Sequence, residues 1–238
     1  MDISETFDVN CKNLISNTIT RHGAGFYGIT GPAGAGKTSV ARLMSDKLNC
    51  TVYSADYGFI GDSEERKSLL INKQMRSIDN YIDAANQYNW WDWGTILSNL
   101  EDLIEGKSIV IDAPYQRDTG EKSDALILTA TNNLIYEGAI FGPPFIVTKL
   151  KRIFFLWVPP KIRLQRLIEK DLGRRSFNEI LARFLITEYS ETSYYINLFN
   201  WAEEKIIFID GLSGMPCNKP KISGHNFIPL RINISKNI

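Results

Sequence analysis

Residues 28–42 read GITGPAGAGKTSVAR, and residues 31–38 within them match the pattern G-x-x-x-x-G-K-[ST]. Small residues in such a loop let backbone N–H groups turn inward around phosphate oxygens. The start of a following helix adds the positive end of its dipole. The lysine places a charge near the β- and γ-phosphates, and the hydroxyl after it can bind Mg²⁺. The stretch therefore predicts a nucleoside triphosphate site made by Gly31, Ala33, Gly34, Ala35, Gly36, Lys37, Thr38 and Ser39.

The residues around this loop predict an α/β fold of the P-loop NTPase class. An apolar strand at 25–30 leads into the loop, and residues 38–48 have helical spacing of apolar side chains. A short helix over 11–20 is expected before them. Further strands are expected at 51–54, 108–111, within 125–136, at 152–158 and at 205–209. This alternation predicts one domain over 1–238, with a parallel sheet of about five strands covered by helices on both faces.

The composition is that of an ordinary folded protein. Of 238 residues, 44% are hydrophobic and 23% are charged, a balance that argues against disorder and against a coiled coil. Lys plus Arg and Asp plus Glu each number 27, so the chain has no basic excess. A nucleic-acid surface normally needs such an excess, and we therefore expect no nucleic-acid partner.

Cysteine usage and hydropathy predict where the protein works. Cys11, Cys50 and Cys217 are far apart and odd in number, which fits reduced thiols better than a metal site or a disulfide framework. The first ten residues lack the apolar stretch of a signal peptide. The longest apolar run, 153–160, is too short to cross a bilayer. We expect a cytoplasmic protein without a membrane partner, and the sequence leaves a homo-oligomer open.

Motifs of several other nucleotide-binding classes are missing from the sequence. It contains neither the Asn-Lys-x-Asp of G proteins nor Leu-Ser-Gly-Gly-Gln, and it is short for a motor. The favoured function is phosphoryl transfer from ATP to a small molecule, with Mg²⁺ as the metal and GTP left open as the donor. A regulatory ATPase that transfers nothing to a small molecule is the alternative from a different class.

An ordered series of motifs beyond the loop resembles the uridine kinase and phosphoribulokinase family of P-loop kinases. Residues 53–59, YSADYGF, are similar to the family's Asp-x-Phe-Tyr segment. Residues 90–97, WWDWGTIL, followed by 100–107, LEDLIEGK, resemble its Ala-Phe-Asp and the helix after it. The resemblance continues through a hairpin motif, a strand end and an Arg-rich lid at 113–115, 136–138 and 163–175. It implies a substrate flap at about 57–124 and a lid at about 165–178.

Two segments depart from the uridine kinase pattern. The family's Asp-His-Pro-Asp run is replaced by Asn86-Gln-Tyr-Asn89, and its hairpin histidine has no counterpart in residues 115–122. The acceptor is therefore open between a nucleoside and a sugar, a polyol or a sugar phosphate.

The resemblance assigns the catalytic and metal-binding carboxylates. It makes Asp56 the general base and a neighbour of the metal, which Thr38 and Glu137 would hold. If the metal-binding carboxylate were chosen only as an acidic residue at the end of an apolar strand, it would instead be Asp112, which follows Ile109-Val-Ile. Chain order places Asp112 in the substrate hairpin, so we rank Glu137 first.

Cations and aromatic residues supply the remaining candidates. Residues 161–175 hold six bases and two acids, whereas 56–124 hold 14 acids and seven bases. A closing lid would bring the first group onto the phosphates, with Arg166 and Lys170 binding nucleotide and Arg174 and Arg175 joining Lys37 and Asp56 in catalysis. We expect the acceptor to be bound by Asp56, Phe59, Asn89, Asp92, Tyr115, Arg117 and Lys122.

Overall fold

A computed structural model describes residues 3–60, 87–116 and 119–222. In chain order its strands are β1 (Phe26–Thr30), β2 (Thr51–Ser54), β3 (Ile109–Ile111), β4 (Tyr115–Gln116), β5 (Glu121–Lys122), β6 (Leu126–Leu128), β7 (Leu134–Glu137), β8 (Ile153–Trp157) and β9 (Ile206–Asp210). The described α-helices are α1 (Ile3–His22), α2 (Lys37–Leu48), α3 (Trp93–Ile104), α4 (Pro144–Lys149), α5 (Pro160–Asp171) and α6 (Phe177–Ala202). Short 3₁₀ turns lie at 55–58, 87–90 and 203–205.

Five of these strands form one parallel sheet in the order β2-β7-β1-β8-β9. The inner strands β1 and β7 are buried along their whole length, as a parallel sheet covered on both faces requires. The α/β prediction is confirmed. Because all five strands run the same way, their carboxyl ends meet at one edge, where a ligand site is expected.

Side chains alternate in direction along the strands and enter two separate hydrophobic cores. Phe26, Tyr136 and Phe155 point into the larger one, which is shared with α3, α4 and α6. Tyr27 and Phe154 and their neighbours of the same parity point into the other, which is shared with α1 and α2. Each face of the sheet is therefore closed by its own set of helices.

The strand expected at 108–111 exists, but it lies outside the parallel sheet. As β3 it pairs antiparallel with β6 in a separate two-stranded sheet. Its middle residue, Val110, is exposed, while its outer residues are buried. This one-sided burial suits an antiparallel pair better than an inner parallel strand.

Helix α1 is longer than the pattern predicts. The expected helix at 11–20 extends to Ile3–His22, with Cys11 and Ile15 in the core. Burial raises the pKa of the Cys11 thiol to about 12, and the nearby Asp8 carboxylate adds to the effect. None of the described helices combines the length and the apolar character needed to cross a membrane.

Gly142, in the segment between β7 and α4, packs closely against the Trp93 ring at the start of α3. Gly142 has φ +75°, and a Cβ there would lie 2.4 Å from the Trp93 ring. We expect Gly142→Ala to lower the free energy of unfolding by about 2–4 kcal/mol, through backbone strain and overpacking. Gly173→Ala is the matched control because no atom lies within 4 Å of its Cβ position. Urea unfolding of both variants checks this, and equal midpoints would contradict it.

Candidate active site

The phosphate loop joins β1 to α2 at the carboxyl edge of the sheet. At Gly31 a Cβ would lie 2.2 Å from the Leu156 carbonyl oxygen, so only glycine lets the loop pass this close to β8. Gly36 caps α2 without any side-chain hydrogen bond. The first N–H groups of α2 are therefore not used by a capping side chain, and they can bind an anion.

Lys37 begins α2 and is almost fully buried. Its Nζ donates to the Pro32 carbonyl oxygen at 3.1 Å, inside the same loop. The ammonium group thus lies over the turn that would surround the phosphates. The geometry fits the triphosphate role predicted for the loop.

A carboxylate and two hydroxyls form the metal end of the site. Glu137, at the end of β7, is buried and accepts from Ser54 Oγ at 3.0 Å and from Thr38 Oγ1 at 3.3 Å. In an octahedron with Mg–O distances of about 2.1 Å, neighbouring oxygens are about 3.0 Å apart. The Thr38 hydroxyl and the Glu137 carboxylate could therefore hold one Mg²⁺ between them.

The rest of such an ion's coordination would come from phosphate and water. Among the described residues, no group of three or more His, Cys, Asp or Glu side chains could hold a metal. Mg²⁺ commonly binds through one or two carboxylates and keeps its other positions for substrate phosphates and water.

Asp56 lies beside this metal end, in the 3₁₀ turn after β2. Its N–H donates to Ser54 Oγ at 3.3 Å, so Ser54 contacts both acidic residues. Burial raises the pKa of the Tyr57 hydroxyl, and the carboxylates of Glu137 and Asp56 raise it further. The two carboxylates predicted from the resemblance thus share one corner of the site.

A buried arginine connects the phosphate loop to α5 and α6. The Arg163 side chain has no solvent exposure and donates twice to the Glu188 carboxylate, at 2.5 and 2.8 Å. It also donates to the carbonyl oxygens of Val158 at 2.8 Å and Ala33 at 3.3 Å. The guanidinium therefore connects the phosphate loop to the residue after β8 and to α6.

A second carboxylate from α6 contacts the loop directly. Glu191 is buried, and its Oε2 accepts from the Ala33 N–H at 2.9 Å. Sequence analysis missed both Glu188 and Glu191. They lie more than 150 residues from the loop, and a Glu three residues before another on a helix carries no signal of such a contact.

The predicted lid cations lie on helix α5 and in the turn after it. Arg166 donates to the carbonyl oxygens of Gly34 and Gly211, at 3.3 and 3.4 Å. Arg174 and Arg175 both bond to Asp171, at 2.5 and 3.0 Å. One carboxylate at the end of α5 therefore bonds to both guanidinium groups.

An aromatic cleft lies between the lid and the start of the flap. Phe59 stacks on Trp91 with ring centroids 4.6 Å apart, and Tyr115 meets Phe59 edge-on at 5.0 Å. Trp90 completes the aromatic lining. The other lining residues include Asp56, Ala33, Lys170, Arg174, Arg175, Arg183 and Glu191.

Some predicted acceptor residues do not line this cleft. Asp92 caps α3, where its oxygens accept from Thr95 N and Thr95 Oγ1 at 3.0 and 2.8 Å. Asn89 is exposed, and so is Lys122 on β5 opposite Tyr115. Arg117 lies outside the described residues. Asp112 is exposed after β3, away from the parallel sheet.

The aromatic cleft adjoins a second cavity that contains the phosphate loop. This cavity, of about 660 Å³, is lined by residues 34–39 and by Phe7, Asp8, Arg166, Gly211 and Leu212. Leu167 and Lys170 line both cavities. Both cavities therefore border the same part of helix α5.

The sequence model of the Phosphoribulokinase / Uridine kinase family matches residues 26–180. The chain belongs to this family. The matched region covers the phosphate loop, Asp56, Glu137 and the lid cations, which confirms the resemblance seen in the motifs.

Individual relatives are distant. The chain is 22% identical over 190 residues to a tRNA dimethylallyltransferase of Anaplasma marginale, covering 74% of this chain and 56% of that protein. It is 26% identical over 173 residues to a cytidylate kinase of Mycoplasma genitalium, covering 68% of this chain and 76% of that protein. It is 27% identical over 155 residues to a uridine kinase of Schizosaccharomyces pombe, covering 63% and 32%. The chain thus spans about half the length of the first of these relatives.

Solved structures share the fold. A protein described as a fructose transport system kinase from Silicibacter sp. TM1040 superposes with a TM-score of 0.55 at 14% identity, over 82% of this chain and 95% of that one. D-glycerate 3-kinase from Cryptococcus neoformans gives 0.54 at 11% identity, over 90% and 97%. At these identities the likeness shows the P-loop kinase fold alone.

The two candidate metal carboxylates can be separated by substitution. We expect Glu137→Gln to raise the Mg²⁺ concentration needed for half-maximal nucleotide binding by about tenfold to a hundredfold, because a charged ligand is lost. Asp112→Asn removes an exposed carboxylate and should leave it unchanged. Calorimetric titration of ATP at several Mg²⁺ concentrations measures this. A larger effect of Asp112→Asn would reverse the assignment.

The Arg163 contacts should be costly to lose. Arg163→Ala leaves the Glu188 carboxylate without its partner and opens a cavity under the loop. We expect a loss of about 3 kcal/mol in the free energy of unfolding, since breaking a buried ion pair typically costs this much. Lys161→Ala, an exposed change on the same helix, should stay within about 0.5 kcal/mol. Chemical unfolding of both proteins compares the two, and similar losses would show that Arg163 does not hold the loop.

Proposed function

We propose that the protein is an ATP- and Mg²⁺-dependent kinase that transfers a phosphoryl group to a hydroxyl of a small molecule. The observation that supports this proposal is that the cavity at the phosphate loop and the aromatic cleft share Leu167 and Lys170 in their linings. A triphosphate in the loop would point its terminal phosphate toward Ala33 and the aromatic cleft. An acceptor in that cleft would lie against Asp56.

The proposed chemistry divides between charge neutralisation and proton removal. Lys37 and the N-terminus of α2 bind the phosphates, and Mg²⁺ held by Thr38 and Glu137 would offset their charge. Asp56 accepts the proton of the acceptor hydroxyl as its oxygen attacks the terminal phosphorus. The bond from that phosphorus to the bridging oxygen breaks, and the nucleoside diphosphate leaves with the electron pair.

The lid supplies the remaining positive charge. Arg174 and Arg175 line the cleft from the turn after α5. Their planar guanidinium groups suit two-point contact with phosphate oxygens. Closure over the cleft would exclude water, which favours transfer to the acceptor over hydrolysis.

The cleft fits an acceptor with both a ring face and anionic or hydroxyl groups. Phe59, Trp90 and Trp91 offer apolar ring faces, which suit a base or the C–H face of a sugar. Arg183 adds a cation outside the predicted lid. A nucleoside or related sugar-containing acceptor is our first candidate, and a sugar, polyol or sugar phosphate is the second. The proteins similar to this chain include a uridine kinase and a D-glycerate 3-kinase, whose names indicate one acceptor of each kind.

A panel of acceptors with ATP tests the proposal. Nucleoside diphosphate release that rises at least tenfold with one acceptor class supports it and names the class. Turnover of uridine or cytidine would exclude the sugar alternative. ATP hydrolysis that no acceptor accelerates would overturn the proposal and support the regulatory ATPase.

Asp56 separates transfer from binding. We expect Asp56→Asn to lower kcat by about a hundredfold or more, since the general base is lost, while ATP affinity changes little. Lys37→Ala should instead weaken nucleotide binding, so the two variants distinguish the two steps. Steady-state kinetics and calorimetry together measure them. An Asp56→Asn protein with normal kcat would exclude Asp56 as the base.

A further inference from the structure

Helix α1 is attached to the loop that follows β9. Asn10 Nδ2 donates to the Ser213 carbonyl oxygen at 2.8 Å. Gly214 packs so closely that a Cβ there would lie 2.6 Å from the Phe7 carbonyl oxygen. Asn10 and Ser213 are 203 residues apart in sequence, yet the two segments form one wall.

This wall closes one part of the nucleotide cavity. Phe7, Asp8, Gly211 and Leu212 line the same cavity as residues 34–39. Within this wall Phe7 and Leu212 are apolar, and Asp8 carries a carboxylate. The family match begins at residue 26 and ends at 180, so α1 and this loop both lie outside it.

We propose that Phe7, Asp8 and Leu212 form the nucleobase site, with Asp8 accepting a hydrogen bond from an amino group on the edge of the base. The proposal rests on the proposed binding of a nucleoside triphosphate in the adjoining loop. Phe7 is half-buried against the α1–α2 core, which fixes its position, and Leu212 is partly exposed. Both side chains are exposed enough to contact a base in the positions that they occupy in the structure.

Arg166 gives the base a second surface. Its guanidinium crosses the cavity wall from the Gly34 carbonyl oxygen to that of Gly211. A planar cation in this position can stack on an aromatic ring. The site therefore offers apolar and cationic faces, while Asp8 offers only acceptor oxygens.

The chemistry of Asp8 selects among bases. A carboxylate accepts hydrogen bonds and donates none, so it favours a base edge that carries an amino group. Adenine has one, and unsubstituted purine does not. The site should therefore prefer ATP to purine riboside 5′-triphosphate, which has the same ring and the same phosphates.

Binding calorimetry with three probes tests this inference: ATP, purine riboside 5′-triphosphate and inorganic tripolyphosphate, each with Mg²⁺. We expect Phe7→Ala to weaken ATP binding about tenfold, the usual scale for a lost base–aromatic contact. Tripolyphosphate binding should not weaken. Val9→Ala, an exposed apolar truncation on the same helix, is the matched control and should change neither.

Asp8→Ala tests the edge contact separately. In the unsubstituted protein ATP should bind about fivefold more tightly than the triphosphate without the amino group, a modest value for an exposed charged hydrogen bond. Asp8→Ala should remove this preference. Equal binding of the two nucleotides by the unsubstituted protein, or a preference that survives Asp8→Ala, would overturn the assignment of Asp8.

The outcomes also separate this inference from the proposed function. Loss of tripolyphosphate binding in Lys37→Ala supports the phosphate site whatever happens at Phe7. ATP and tripolyphosphate affected equally by Phe7→Ala would overturn the base site. Because Phe7 contacts the core, Leu212→Ala serves as a second variant that does not disturb it. Unchanged ATP affinity in Leu212→Ala and in a folded Phe7→Ala protein would also reject the proposal.

Discussion

The buried guanidinium of Arg163 is the contact on which the geometry of the site depends. It joins the end of β8, the phosphate loop and α6 through hydrogen bonds to Val158, Ala33 and Glu188. Rings of Trp157 and Phe184 lie over it at 5.7 and 5.5 Å. A buried charge is tolerated only when its donors are satisfied, so these partners must keep their positions together. The phosphate loop is thus held by a charge network as well as by its glycines.

Opposite charges lie on two sides of the site. Asp56 and Glu137 lie at the ends of β2 and β7, where backbone pairing brings Ser54 beside Glu137. The cations come from α5 and the turn after it. The Asp171 carboxylate pairs with both Arg174 and Arg175 and so partly neutralises this positive charge. The neutral total charge of the chain therefore conceals a strong local separation, which phosphoryl transfer needs.

How much could be predicted depended on the range of the interactions. The loop, Asp56, Glu137 and the lid arginines are carried by local motifs, and the structure places them together. Asp92 shows where local reasoning was incomplete: an acid directly before an apolar helix, with Thr95 three residues on, is also a helix cap. Glu188, Glu191 and Phe7 reach the site only through long-range packing, and nothing in their local sequence indicates it. For α1, the weak apolar periodicity of the first turns explains why the sequence predicted only residues 11–20 of the helix and missed Phe7.

The two halves of the site are built by different physical means, and this bears on specificity. The phosphate half stands on inner strands with full backbone ladders, so its geometry changes little with surface sequence. The acceptor half stands on β4 and β5, two residues each, and on stacking of Tyr115, Phe59 and Trp91. Side-chain packing, unlike a backbone ladder, changes with each substitution. The described residues of the two segments that depart from the uridine kinase pattern, 87–89, 115–116 and 119–122, fall in or beside this acceptor half. A different acceptor can therefore be accommodated there while the phosphate chemistry stays the same.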